Sequence, residues 1–202
     1  MPFTSLDKLR RTISRHRKTG TTFLSFKRPM IDLCQTLPLN TVLEFGPGYS
    51  TEIILEYSSA KIISLETDQQ WYQRYKDRFD PKRVKVIYLP ELEALDITNQ
   101  LGRDFSLVFI DGGDRLTELN LAFELTDEKG VVYLHDAHRE EYEPGIRLYP
   151  YYYFPERHSC LLFKDLSTFR VTKASIPSDY SCHCQYCSTP ERRAYFSKFV
   201  DL

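Results

Sequence analysis

The segment from Thr41 to Thr51, TVLEFGPGYST, constrains the fold of this chain more than any other stretch. A short apolar run carries an acid near its end, and a Gly-x-Gly turn then leads into sequence that favours a helix. Glycine has no Cβ atom, so its backbone adopts unusual angles and approaches a ligand closely. The start of the following helix offers unpaired N–H groups to polar ligand atoms. The segment therefore predicts a strand, a turn and a helix N-terminus that hold a nucleotide-like cofactor.

The spacing of the glycines argues against two common nucleotide-binding motifs. The dinucleotide fingerprint G-x-G-x-x-G needs a third glycine, and Thr51 stands at that position. No Gly-Lys-Ser/Thr sequence follows the turn, so the phosphate-binding lysine motif is absent as well. An acid-x-Gly-x-Gly-x-Ser pattern remains, formed by Glu44, Gly46, Gly48 and Ser50. A Gly-x-Gly turn alone is also compatible with an ordinary tight turn, so its meaning depends on the strands that follow.

Four further apolar runs alternate with helical patterns along the chain. Strands are predicted at Lys61–Leu65, Val84–Leu89, Phe105–Ile110 and Gly130–Leu134. Helical patterns lie at Glu52–Ser59, Gln69–Phe79 and Leu116–Leu125. Near-continuous β-branched strands separated by helices predict a parallel sheet that is covered on both faces.

Acidic and histidine side chains lie at or just beyond the ends of the predicted strands. They are Glu44, Glu66, Asp111, Asp136 and His138. Ligands of open α/β sheets bind beyond the carboxyl ends of the strands, so these side chains predict the edge that carries the site. An acid at the end of the second strand, as Glu66 is, accepts hydrogen bonds from ribose hydroxyls in nucleotide-binding folds. The alternative for Glu66 is a solvated acid at a strand end.

Residues 28–164 resemble the class I S-adenosylmethionine (SAM) methyltransferases. The resemblance begins with the glycine turn and continues in FIDGG (109–113) and GVVYLHD (130–136), which are most similar to small-molecule O-methyltransferases. It implies a Rossmann-like α/β fold with a mostly parallel sheet, an antiparallel edge hairpin and helices on both faces. It also implies SAM as the cofactor, bound by Glu44, Gly46, Pro47, Gly48, Tyr49, Ser50, Glu66 and Asp111.

The same resemblance suggests catalytic residues and a divalent metal. Some of these enzymes bind a metal through an Asp after the fourth strand and an Asp-Asn pair after the fifth. Asp111 and Asp136 match the two aspartates, whereas Ala137 stands where the Asn would be. His138 is then a candidate replacement ligand, or a general base that acts with Asp136 and Asp111. His135 lies closer to the strand, and we expect it to be a structural hydrogen-bonding residue.

Length and charge favour one soluble domain. The 202 residues suffice for one α/β domain with a sizeable core, and the net charge of −1 creates no global field that would recruit nucleic acid. No apolar run reaches the length of a membrane helix, and no secretory signal is apparent at the N-terminus. We therefore expect a cytoplasmic enzyme with a small-molecule acceptor and no nucleic-acid or membrane partner. Homo-oligomer formation is compatible with these features.

The N-terminal 27 residues form a basic segment that we expect to be helical. Six basic residues crowd it: Lys8, Arg10, Arg11, Arg15, Arg17 and Lys18. One interpretation is a solvated helix, and the other is a surface for an anionic partner such as phosphate, a sugar acid or RNA. The methyltransferase domain is predicted at residues 28–175, and a cysteine-rich tail at residues 176–202.

The C-terminal third of the chain is less regular. Tyr149–Phe154 and His158–Phe163 predict an antiparallel pair at the edge of the sheet, and Phe169–Ala174 predicts one further strand. The tyrosines of the first run belong either to the core or to the wall of an acceptor pocket, because aromatic rings with polar tips suit sugars and ring compounds.

Three cysteines fall within six residues of the tail. Cys182, Cys184 and Cys187 form a Cys-x-Cys-x-x-Cys pattern that is a plausible half-site for structural zinc. The fourth ligand would be His183, His158 or Cys160. Free thiols are the main alternative, and a redox or cluster role is a further one.

The residues together predict a SAM-dependent methyltransferase that methylates an oxygen of a small molecule or sugar-like acceptor. Two alternatives stay open. An NAD-dependent oxidoreductase uses a similar glycine turn, although the third glycine is missing here. A non-catalytic protein that binds SAM or a nucleotide is the second alternative. It is compatible with Ala137 and with the modest sequence evidence for a methyl-acceptor site.

Overall fold

One seven-stranded sheet organises the part of the chain that the computed structural model describes, which is residues 26–91, 101–176 and 178. Its strands are β1 (Thr41–Phe45), β2 (Lys61–Glu66), β3 (Val84–Tyr88), β4 (Phe105–Ile110), β5 (Thr126–His135), β6 (Tyr151–Glu156) and β7 (Ser159–Phe163). Their spatial order is β3-β2-β1-β4-β5-β7-β6. Strands β1 to β5 run parallel, and β7 pairs antiparallel with both β5 and β6. This confirms the predicted mostly parallel sheet with an antiparallel edge hairpin.

Helices connect and cover the strands. Their bounds are α1 (Lys27–Thr36), α2 (Tyr49–Tyr57), α3 (Gln69–Tyr75), α4 (Arg115–Leu125), α5 (Glu143–Ile146, after a 3₁₀ turn at Glu140–Tyr142) and α6 (Leu166–Ser175). Three of them begin after an aspartate, at Asp68, Asp114 and Asp165, whose carboxylate accepts a backbone N–H of the first turn. These caps satisfy donors that the helix itself leaves unpaired, so the local sequence sets where each helix starts.

Two apolar clusters lie on opposite faces of the sheet, because successive strand residues point to opposite sides. On one face Leu43 packs with Leu119 and Ala122 of α4. On the other face Val42 packs with Leu33 of α1, within a cluster that also includes α2 residues. Helices therefore cover both faces, as predicted for a Rossmann-like α/β fold.

The strand predicted at Phe169–Ala174 is wrong, because this segment lies within helix α6. The first four residues of the segment, 169–172, alternate apolar and polar as in a strand, yet Val171 is 56% exposed. Phe169 and Thr172, spaced three apart, face inward instead, and the Phe169 ring stacks on Tyr151 of β6 with centroids 5.7 Å apart. The cap at Asp165 and packing against the hairpin override the alternating pattern.

Two predicted segments lie outside the described residues. Residues 1–25 include the whole basic cluster, and residues 179–202 include Cys182, Cys184 and Cys187. The helical N-terminus and the zinc site of the tail therefore stay predictions. Among the described residues, no helix is both long and apolar enough to cross a membrane.

Candidate functional site

A cavity of about 650 Å³ lies at the carboxyl ends of β1, β2 and β4. Its lining includes the glycine turn after β1, Glu66 at the end of β2, the first turns of α3, and Asp111 after β4. The volume is within the range of cavities that bind small molecules and cofactors. The polar residues predicted at the strand ends therefore have a concave site beside them.

Gly46 holds the turn in a conformation that other residues rarely adopt. Its φ is +90°, and its N–H donates to the Leu65 carbonyl at 2.9 Å. A Cβ atom at this position would lie 3.4 Å from the backbone oxygen of Asp111. This is an ordinary van der Waals distance, so the positive φ rather than a lack of space favours glycine at this position.

Gly48 has a different environment, although it belongs to the same turn. It precedes α2 as its N-cap residue with an extended φ of −173°, and its N–H donates to Thr51 Oγ1 at 3.0 Å. A Cβ atom here would have no neighbour within 4 Å among the described residues. The space beside Gly48 is therefore open on the side of a helix N-terminus, where N–H groups favour polar ligand atoms.

Glu44 lies beneath the cavity and is fully buried. Its carboxylate accepts hydrogen bonds from the hydroxyls of Ser50, Thr51 (2.6 Å) and Ser64 (2.9 Å). Burial raises the pKa of Glu44 to about 7, although the three hydroxyls oppose that rise. Glu44 thus joins β1, α2 and β2, while Ser50 lies between it and the cavity.

Glu66 lines the cavity and is only 7% exposed. Its Oε1 accepts the backbone N–H of Asp68 at 2.8 Å. Burial raises the pKa of Glu66, and the backbone donors of residues 67 and 68 counteract part of that rise. The indole N–H of Trp71 donates to the carbonyl of Pro47 at 2.7 Å, so the start of α3 is joined to the glycine turn across the cavity.

Two arginines of the α3 region give the outer wall positive charge. Arg74 lies 5.0 Å from the Trp71 ring, and Arg78 lies 5.1 Å from the Tyr75 ring. Arg78 also pairs with Glu52 of α2. These contacts hold the cations against aromatic faces, where both remain at the rim of the cavity.

Asp111 connects the cavity to a buried ion-pair network. Its Oδ1 accepts Arg115 Nη2, and it lies 2.9 Å from His135 Nδ1. Burial alone would raise the pKa of Asp111, but His135 and Arg115 lower it below its ordinary value. Burial opposes the charged form of His135 as well, yet the hydrogen bond and charge of Asp111 raise the pKa of this histidine. Asp111 and His135 therefore form an ionisable pair at the inner end of the cavity.

His135 lies directly behind the cavity wall. Its ring packs edge-on against Phe26, which lines the cavity, with centroids 4.9 Å apart. Its buried Nε2 has no hydrogen-bond partner among the described residues and lies 3.9 Å from Asp136 Oδ1.

Asp136 begins the turn after β5 with a φ of +57°, which is unusual for a residue with a side chain. Its Oδ2 lies 3.5 Å from Arg115 Nη2 and 3.6 Å from Arg139 Nη2. Strained backbone of this kind occurs at functional sites when the surrounding contacts hold it. Here the two arginines supply such contacts.

His138 and His158 meet on the side of Asp136 that faces the edge hairpin. Their Nδ1 atoms lie 3.0 Å apart, and the rings pack edge-on with centroids at 4.5 Å. We call Asp136, His138 and His158 the histidine corner. Burial lowers the pKa of His158 to about 4, so its imidazole is neutral at pH 7.

The predicted catalytic and metal trio of Asp111, Asp136 and His138 is divided between two groups. Ligand atoms come within 4.8 Å of one another in Asp111–His135–Asp136 and, separately, in the histidine corner. Asp111 is already engaged by Arg115 and His135, and Ala137 offers no ligand atom. The donors present therefore do not reproduce the metal set that the resemblance implied.

The aromatic run at Tyr149–Phe154 packs mainly into the core. Tyr149 is buried and donates its hydroxyl to the Leu119 carbonyl at 3.2 Å, and Tyr153 stacks on Phe163. No residue of this run lines the described cavity, whereas Tyr49 and Tyr75 do.

Comparison with known proteins shows the fold. No family model matches the sequence, and no curated protein matches it. Among solved structures, a methyltransferase from Geobacter sulfurreducens is 15% identical with a TM-score of 0.52, covering 80% of this chain and 90% of its own. Human methyltransferase-like protein 13 in complex with SAH is 13% identical with a TM-score of 0.52. This match covers 81% of the present chain and 97% of the human protein's chain. A spermidine synthase with the transition-state analogue AdoDATO is 15% identical with a TM-score of 0.54. This match covers 79% of the present chain and 67% of the synthase chain.

This chain has the class I methyltransferase fold. At these identities the similarity establishes the architecture, and the activity has to be argued from the site.

Two parts of the site were missed by sequence reasoning. Arg115 lies four residues after Asp111, but Asp111 precedes helix α4 and the predicted helix included neither residue, so helical spacing did not suggest this ion pair. His158 lies in the turn of the edge hairpin, twenty residues from His138, and no local pattern predicts their contact. His135 was expected to be structural, and the structure places it against Asp111 at the inner end of the cavity.

Proposed function

We propose that this protein is a SAM-dependent methyltransferase that methylates an oxygen of a small molecule or sugar-like acceptor. The observation that carries the proposal is the convergence of the glycine turn, Glu66 and Asp111 on one cavity of about 650 Å³. Each of these features arises from a different strand end, as expected for a cofactor site in an open α/β sheet. The fold also occurs in a spermidine synthase, so the proposal rests on the site rather than on the fold alone.

The residues around the cavity fit SAM in size and chemistry. The open space beside Gly48 admits ligand atoms close to the backbone and to the N-terminus of α2. Glu66 presents a carboxylate at the end of β2, where ribose hydroxyls would donate to it. Glu44 acts indirectly, because its carboxylate fixes Ser50 and Thr51 at the start of the helix.

When bound, SAM supplies an electrophilic methyl group on a sulfonium. The chain's own contribution is to align an acceptor oxygen and to receive its proton. We assign the proton to the pair of Asp111 and His135, because Asp111 lines the cavity and its hydrogen bond to His135 Nδ1 stabilises the protonated ring. Neither His135 nor His138 lines the described cavity. His138, the base that the sequence suggested, has its Nδ1 against His158, whereas the partner of His135, Asp111, does line the cavity.

Calorimetry with S-adenosylhomocysteine tests the cofactor assignment. Gly48→Val places a branched side chain in open space beside the turn, and Glu66→Ala removes the predicted ribose acceptor, so both should weaken binding. Unchanged affinity in both variants would contradict the cofactor assignment.

Methyl transfer is then measured with SAM labelled in the methyl group and a panel of hydroxylated acceptors. Label in an ether or ester product supports the proposal. Binding without label transfer across the panel would favour a non-catalytic SAM-binding protein. Copurified nicotinamide absorbance, with no SAM binding, would favour the oxidoreductase.

A further inference from the structure

The histidine corner brings three metal-ligand side chains together from two separate chain segments. Asp136 and His138 belong to the turn after β5, and His158 belongs to the turn between β6 and β7. One ligand atom from each side chain lies within 4.8 Å of the others, and the two Nδ1 atoms are 3.0 Å apart. The two turns are joined by the Ala137 N–H, which donates to the His158 carbonyl at 3.0 Å. Backbone pairing therefore holds the donors in place.

The spacing of the nitrogens matches a shared metal ion. A zinc ion binds imidazole nitrogens at about 2.0–2.1 Å, which separates two such ligands by about 2.9–3.4 Å for angles between square and tetrahedral. The observed separation of 3.0 Å falls within that range; it is also a hydrogen-bond distance, so a metal ion would replace the direct contact between the two Nδ1 atoms. Both histidines are buried, at 7% and 1% exposure, so few alternative ring positions are open to them.

We propose that Asp136, His138 and His158 form a binding site for a divalent first-row transition metal ion such as Zn²⁺. Two imidazoles and one carboxylate are the donor set of open zinc sites and of related iron, cobalt and nickel sites. Such donors disfavour Mg²⁺ and Ca²⁺, which prefer oxygen ligands. The site is distinct from the cofactor cavity, because none of its three residues lines that cavity as described.

Metal binding competes with existing partners of Asp136. Its Oδ2 faces Arg115 and Arg139 at 3.5 and 3.6 Å, which are long contacts, and Oδ1 faces His135 Nε2 at 3.9 Å. A metal that takes one oxygen leaves the other to an arginine, an arrangement that would also orient the ligating carboxylate.

The test separates this site from the cysteines of the tail, which would also bind transition metals. Cobalt(II) is titrated into the full chain carrying Cys182→Ser, Cys184→Ser and Cys187→Ser, with any affinity tag removed. We expect about one equivalent to bind, with visible d–d absorption and no thiolate-to-cobalt charge-transfer band. In the same background, His138→Asn and His158→Asn should each weaken binding at least about tenfold, the lower end of losses from outer-shell substitutions. His16→Asn, which removes a histidine of the basic segment, should leave the affinity unchanged.

X-ray absorption of the cobalt-loaded protein identifies the metal ligands with the histidines unchanged, so the result does not depend on whether a histidine variant folds. A spectrum that requires two imidazole ligands supports the proposal. No cobalt binding in the triple-serine background would overturn it, as would a spectrum without imidazole or unchanged affinity in both folded histidine variants.

Discussion

The cavity beside the glycine turn and the histidine corner lie at the same end of the sheet, but they are built differently. The cavity is shaped by backbone: Gly46 has a positive φ, Gly48 faces open space, and a helix N-terminus points inward. The histidine corner is made of side chains that meet only because the edge hairpin folds back onto β5. A backbone-shaped site leaves a motif in one stretch of sequence, whereas a side-chain site assembled by tertiary contact leaves none.

The largest expected effect is a difference in kcat between a variant of His135, beside the cavity, and a variant of His138, in the histidine corner. His135→Gln should lower kcat for methyl transfer by about 10²–10⁴-fold, the usual contribution of a general base, with little change in S-adenosylhomocysteine affinity. His138→Gln should lower kcat less, because its imidazole faces His158. Initial rates at saturating SAM, with thermal denaturation to verify folding, provide the measurement. The opposite ranking would support the assignment of His138 as the base.

The second effect concerns ligand binding at the carboxyl end of β2. Glu66→Ala should weaken S-adenosylhomocysteine binding by about 10–100-fold, since hydrogen bonds to a charged group contribute about 1.5–3 kcal/mol. Calorimetry measures the change. Glu56→Ala is the matched control, because Glu56 is an exposed acid on α2 outside the cavity lining as described. Equal losses in the two variants would indicate a general charge effect rather than a ribose contact.

The third effect compares the two glycines of one turn. Gly46→Ala should destabilise the protein by about 1–2 kcal/mol, because its φ of +90° disfavours a residue with a Cβ atom. Gly48→Ala should change stability little, since its backbone is extended and its Cβ would meet nothing within 4 Å. Urea denaturation of both variants tests the difference. Equal destabilisation would mean that the turn does not depend on the backbone angle of Gly46.

The smallest effect is a difference in how stability depends on pH, measured in the presence of a chelator. The pKa of His135 is raised in the folded state, so its stabilising contribution is present below the unfolded value near 6.5 and is lost as pH rises through the folded pKa. The pKa of His158 is lowered to about 4, so the unfolded chain binds more protons between pH 4 and 6.5. Through His158, stability therefore rises with pH in that window.

Two variants show which histidine causes each part of the pH dependence of the free energy of unfolding. His158→Asn should flatten the rise of stability between pH 4 and 6.5. Asp111→Asn should remove the loss of stability that follows as the pH increases through the pKa of His135, because His135 then loses its partner. Urea denaturation at several pH values provides the measurement. A steeper rise in His158→Asn would show that this histidine is charged in the folded protein.

The sheet and the edge hairpin were predictable because each element carries its own signal. Strands β1 to β5 read as apolar runs, and the glycine turn joins β1 to α2. The segment at Phe169–Ala174 was misread because its alternating residues fit a strand, while the cap at Asp165 and the aromatic contacts of Phe169 make it a helix. Alternation over four residues is weak evidence for a strand when a helix cap and a packing surface favour a helix.

The sequence by itself determined the parallel sheet, the glycine turn and the edge where polar side chains gather, because strand periodicity and glycine positions act locally. Only the tertiary structure decided which side chains pair there. Asp111 contacts His135 rather than His138, and His138 contacts His158 across a hairpin. Such pairings depend on the register of β5 against β4 and β7 and on the turns that follow, which no short stretch of sequence encodes.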